Sequence, residues 1–161
     1  MKFFKSVRTL EELKKEYRTL AMKHHPDRGG DLETMQAINS EYDEVFKRVK
    51  NLHTNAKGET YEKETQEQPS EFRDVIEILL IMQNIHIEVI GSFIWLSGET
   101  KVYKDQIKEL GFKWSSNKKM WYKSPEGYRR RTRKNHSIDE IRGMFGVQYE
   151  GNGQGYMRLQ A

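Results

Sequence analysis

Apolar side chains recur at three- and four-residue steps near the start of the chain, at Leu10, Leu13, Tyr17, Leu20 and Ala21. That spacing predicts an amphipathic helix over residues 10–24. Thr9 with Glu12 three positions later reads as a capping box, and Pro26 ends the helix by pushing His25 out of the helical backbone region. The same spacing at Leu32, Met35, Ile38, Tyr42, Val45, Phe46 and Val49 predicts a second helix over residues 32–49. The short polar turn between them imposes an antiparallel pair, whose open side Phe3, Phe4 and Val7 are placed to cover.

After Lys50 the pattern stops. The stretch "NLHTNAKGETYEKETQEQPSE" is polar, without periodicity, and reads as a flexible linker over residues 51–70. Phe72, Val75, Ile76, Leu79 and Leu80 then restore helical spacing over 71–84. "IHIEVIGSFIWLSG" alternates and breaks at Gly91 and Ser92, which predicts two strands and a tight turn. Thr100 is placed to cap a helix running to Leu110 and stopped by Gly111. "FKWSSNKKMWYK" reads as a second hairpin, and Ser137 with Glu140 opens a last helix ending near Gly146. The expected organisation is an all-α helical hairpin at 1–50, a linker at 51–70, a small α+β domain with two β-hairpins and two or three helices at 71–150, and a tail at 151–161.

Composition narrows the chemistry. At 161 residues with no cysteine, the chain must rest on packing, without disulfides, thiolate metal sites or cysteine nucleophiles. No apolar run approaches the roughly 18 residues of a membrane span, and "MKFFKSVRTLEE" turns charged too soon for a signal peptide, so a cytoplasmic protein with no membrane partner is expected. The net charge of +4 is unevenly placed. Residues 113–134 hold nine Lys and Arg against one acid, whereas the rest of the chain is slightly acidic.

The turn between the first two helices is "HHPDRGGD". On the blandest reading Pro26 stops one helix, Gly29 and Gly30 turn the chain, and Asp31 caps the next helix. Its surroundings say more. "YRTLAMKHHPD", followed by "MQAINSEYDEV", resembles the J domain of Hsp70 co-chaperones over residues 2–49: a basic helix, an HPD turn and a third helix with an Ile and Tyr pattern. The resemblance implies a role in which the turn engages an ATP-bound DnaK-type Hsp70 and couples substrate capture to ATP hydrolysis. By position, His25, Pro26 and Asp27 would make that contact, while Lys14, Lys15, Arg18 and Lys23 would form the basic face that meets an acidic chaperone surface. Tyr17, Leu20, Ile38 and Tyr42 are expected in the core. The first helix of the pattern is short, Thr19 stands where many members carry a basic residue, and no fourth helix follows Lys50. No Gly/Phe-rich or cysteine-rich module is present.

An enzyme is not expected. His24, His25 and Asp27 lack further ligands at helical or hairpin spacing, so no metal or other cofactor is assigned, and no nucleophile motif or phosphate loop is present. The segment from Gly91 to Tyr128 resembles a small α/β module of phage and mobile-element proteins, through its Gly-Phe-Lys-Trp and Lys-x-Trp-Tyr pairs. In it, Lys113, Lys118, Lys119, Lys123, Arg129, Arg130, Arg131, Arg133 and Lys134 are interleaved with Trp114, Trp121, Tyr122 and Tyr128. Cations for phosphates and rings for bases suit single-stranded nucleic acid, although such a charge run also serves as a solvated or protein-docking surface, and tryptophans also serve as core. The expectation is a phage or mobile-element co-chaperone that brings Hsp70 to a target held by its second domain. Its rivals are a nucleic-acid-binding protein with a vestigial J domain and a decoy for host takeover or anti-defence.

Overall fold

The structure, a computed structural model, describes residues 2–125, Tyr128 and residues 135–144, the side chain of Met144 excepted. It divides into two compact units, residues 2–82 and the residues from Gln83 onward.

The first unit opens with helix α1 (Leu10–His24). Thr9 Oγ1 accepts from the Glu12 N–H, but the Glu12 carboxylate returns to the Arg8 N–H at 2.7 Å, one residue earlier than a closed capping box requires. A 3-10 turn (Pro26–Arg28) leads to α2 (Leu32–Val49), capped by Asp31, whose carboxylate accepts from the Thr34 N–H at 2.8 Å. Hydrogen bonds from the Thr34 hydroxyl and backbone hold that carboxyl below its ordinary range. The helices bury Leu10, Leu13, Tyr17 and Ala21 against Met35, Ile38, Tyr42, Val45, Phe46 and Val49, with Phe4 and Val7 closing the open side. Leu20 is half-buried and Leu32 is exposed, so neither joins the core that their spacing predicts. Glu41 fixes the opening segment by accepting from the backbone N–H groups of Lys2, Phe3 and Phe4.

Residues 51–70 are not the featureless linker that their composition predicts. Strands β1 (Leu52–Thr54) and β2 (Thr60–Glu62) pair antiparallel, with His53 opposite Tyr61. Polar side chains build this hairpin where apolar ones are lacking. Asn55 Oδ1 accepts from the backbone of Lys57 and Glu59 to shape the turn. Buried His53 meets Glu11 of α1 through Nδ1 at 2.9 Å and the Lys63 carbonyl through Nε2 at 3.0 Å. The boundary between units therefore falls after Met82, not at residues 51–70. Helix α3 (Pro69–Ile81), expected to open the second domain, completes the first: Phe72 stacks on Tyr42 at 6.1–6.3 Å from both core tyrosines. The first unit is thus three helices with a small hairpin, rather than all-α.

The second unit holds an antiparallel sheet in the order β3-β4-β6-β5, formed by β3 (Ile85–Ile90), β4 (Phe93–Gly98), β5 (Lys113–Ser115) and β6 (Met120–Lys123). Between β4 and β5, buried Thr100 begins a 3-10 turn (Thr100–Tyr103), so helix α4 is only Lys104–Glu109. Gly111 follows it at φ +94. Register and pleat put Glu88, Phe93, Trp95 and Tyr122 on one face, and Ile87, Ile94, Leu96, Trp121 and Trp114 on the other. Helix α5 (Ile138–Met144) lies on the first face, with Ile138 and Ile141 packed against Ile90, Trp95 and Met120. Its start is the capping box expected of Ser137 and Glu140. Arg142 of α5 forms a bidentate ion pair with buried Glu88. Among the described residues no helix is long and apolar enough to cross a membrane.

Candidate functional site

The turn after α1 is held by its own backbone. The His25 carbonyl accepts from both the Arg28 and Gly30 N–H groups, at 2.9 and 3.0 Å, and the Gly29 N–H reaches the Pro26 carbonyl. Two different needs explain the paired glycines. Gly29 takes a left-handed conformation at φ 83, whereas Gly30 lies so close to His24 that an added Cβ would collide with its backbone carbonyl. His25 Nδ1 accepts from the Asp27 N–H at 3.2 Å, which ties the imidazole to the turn and leaves Nε2 as its outward donor. Pro26 and Asp27 stand exposed. The turn is therefore a rigid projection with one carboxylate at its tip.

Behind it, the cations of α1 divide into two flanks. Lys23 is exposed and Lys15 half-exposed, each four residues from Thr19, and together they line the open flank. Lys14 and Arg18 line the other. They were expected on an exposed basic face, yet they are 4% and 5% exposed, because α3 and the segment leading into it cover that flank. Lys14 Nζ donates to Glu67 at 2.7 Å and lies 5.2 Å from the centre of the Phe72 ring. The Tyr17 hydroxyl donates to Asn39 at 2.8 Å, with Glu77 at 3.4 Å. Burial, followed by the Glu77 charge, pushes its phenol well above its usual range. Asp43 and Arg73 clamp α2 to α3 through two hydrogen bonds of 2.9 and 3.1 Å. Arg28 of the turn donates to the Leu80 carbonyl at the far end of α3, at 3.3 Å.

In the second unit the basic and aromatic residues do not form one platform. Trp121 is buried at 6% exposure and Tyr122 packs on Trp95 with ring centres 5.4 Å apart, while Trp114 is 49% exposed at the edge of the sheet. Tyr128 is also half-exposed, but its ring meets Phe93 edge-on and so lies on the face opposite Trp114. Lys113 and Lys119 are exposed. Lys118 rests 5.7 Å from the Trp95 ring centre, and Lys123 donates to the Leu110 carbonyl at 2.8 Å. Arg129, Arg130, Arg131, Arg133 and Lys134 lie outside the described residues.

Residues missed from the sequence are those that cover or clamp: Glu67 and Phe72 over α1, the His53–Glu11 pair under the hairpin, and Glu88 with Arg142 across the sheet. The available signal was a string of isolated acids and histidines opposite unmatched cations, which has no fixed spacing to recognise. Among the described residues no three His, Asp or Glu side chains are grouped to hold a metal ion. Compared with known proteins, the chain matches no family model, no curated protein and no solved structure.

Proposed function

We propose that this chain is a J-type co-chaperone of a DnaK-type Hsp70, which it engages through His25, Pro26 and Asp27 and brings to a target held by the second unit. The observation that carries the reading is the turn itself: a self-bonded His-Pro-Asp projection between two antiparallel helices, with Pro26 and Asp27 bare and cations on the helix behind it. Such a projection suits an interface, since it loses little conformational freedom on docking and carries its charge where an approaching partner meets it first. The chain supplies contact and orientation, and the chaperone supplies the hydrolysis.

His25→Gln tests this, because it changes the tip without opening the core. Helix content should stay as in the wild type while stimulation of Hsp70 ATP turnover disappears. Binding to Hsp70 without stimulation would favour the decoy reading. If neither the wild type nor a Glu67→Lys variant stimulates, the co-chaperone reading is lost.

Exposed Trp114, with exposed Lys119 in the turn of the same hairpin, favours a second reading in which the target is single-stranded nucleic acid. Replacing Arg129, Arg130, Arg131, Arg133 and Lys134 with Gln should weaken oligonucleotide binding. It should also flatten the dependence on salt, by about 0.7 in logarithmic slope for each phosphate contact removed. No binding by the wild type at low salt would leave a protein target.

A further inference from the structure

Lys14, one of the four cations expected to meet an acidic chaperone surface, already meets an acidic side chain. Residues 62–77 hold Glu62, Glu64, Glu67, Glu71, Asp74 and Glu77 against only Lys63 and Arg73. This stretch supplies the side chains that bury the Lys14 flank: Glu67 takes the ammonium and Phe72 roofs it. We infer that residues 62–77, running from the end of β2 through most of α3, are an internal stand-in for the acidic partner, and that Hsp70 must displace them to reach Lys14 and Arg18. The inference rests on the co-chaperone reading and deepens it, since it concerns regulation of the same site.

The stretch is held by the Lys14–Glu67 and Arg73–Asp43 ion pairs, by Glu77 accepting from Asn39 at 3.0 Å, and by Phe72, Val75 and Ile76 in the core, while Gln68 at the start of α3 makes no side-chain capping bond. On the outer side of α3, Ile78 and Ile81 are 43% and 62% exposed, so not all of its apolar surface is committed to the first unit. Beyond this stretch, at Leu80, α3 also meets the turn through the hydrogen bond from Arg28. An acidic chaperone face competes with the cover for the same cations. The apparent affinity then falls by the fraction of molecules in which the cover is open.

The absence of native cysteine allows a direct test on the full chain. Asp43→Cys and Arg73→Cys put one thiol on α2 and one on α3, to be joined by a bifunctional thiol reagent that a reductant cleaves. The expected result is stimulation of Hsp70 ATP turnover by the cleaved form and at most about a tenth of it by the bridged form, measured at sub-saturating chain. Glu67→Lys, which sets a like charge against Lys14, should raise stimulation above wild type without any reagent. Equal stimulation by bridged and cleaved forms, with helix content unchanged, would overturn the cover and leave Lys15 and Lys23 as the docking flank. Silence in both forms and in Glu67→Lys would instead remove the co-chaperone reading, and the cover with it.

Discussion

The two units treat their conspicuous side chains in opposite ways. The first hides cations: Lys14 and Arg18, on a helix whose charge pattern suggests a solvated face, are both buried, Lys14 beneath an acidic side chain and an aromatic ring. The second leaves an indole bare: Trp114 stands half-exposed beside Trp121, which is buried, with ring centres 5.4 Å apart. The difference lies in what comes later along the chain. The first unit adds a third helix over its charged flank, whereas β5 is the last strand of its sheet and no fifth strand pairs with it among the described residues. Exposure is thus a property of coverage, which a side chain's own chemistry does not determine.

The sharpest way to break this contrast is to truncate the covered rings. Phe72→Ala and Trp121→Ala should each cost about 4 kcal/mol, the usual toll of emptying a well-packed aromatic site, measured by chemical denaturation followed separately for each unit. A loss below 1 kcal/mol for Phe72→Ala would mean that α3 barely contributes to the first unit. Next comes the buried ion pair of the second unit. Arg142→Met leaves Glu88 charged and unpaired against the sheet and should cost about 3 kcal/mol, seen as faster hydrogen exchange along α5. Full protection of α5 in that variant would show that Ile138 and Ile141 suffice to hold it.

Glu41 offers a smaller test. Burial opposes its charge, but the N–H groups of Phe4, Lys2 and Phe3 outweigh it and hold the carboxyl below its ordinary range. A depressed carboxyl contributes stability above its unfolded pKa and loses it as pH falls through the folded one. Glu41→Gln should therefore cost about 1 kcal/mol at neutral pH, after allowance for solvent, and nothing once the wild-type carboxyl is protonated. A cost that does not change with pH would assign the effect to shape rather than charge. Smallest is Trp114→Ala, expected to cost under about 1 kcal/mol because half the ring is already wet. A loss near that of Trp121→Ala would mean that the two rings act as one core.

Periodicity made much of this molecule legible. Residues Leu10 to Val49 carry their own spacing, stop and cap, and both helices lie where the apolar steps place them. The two strands flanking Gly91 and Ser92 follow from alternation in the same way. The hairpin at residues 52–62 was illegible because polar groups specify it through partners distant in sequence, Glu11 for His53 and Thr9 for Thr54. Helix α3 was visible as a helix, but its owner was not: Phe72 would pack as well on a sheet as on Tyr17 and Tyr42. The turn's local form could be foreseen from Pro26 and the paired glycines. The fate of the cations behind it depended on residues about fifty positions further along.

The three tryptophans of the chain, Trp95, Trp114 and Trp121, all belong to the second unit, whereas the first has only tyrosine and phenylalanine rings in its core. Light absorbed by indole alone therefore reports on the second unit, whereas tyrosine emission comes from both, since Tyr17 and Tyr42 lie in the first and Tyr103, Tyr122 and Tyr128 in the second. The melting of the second half can thus be watched by itself without adding a label, and a partner that alters the indole environment declares that it has touched that half.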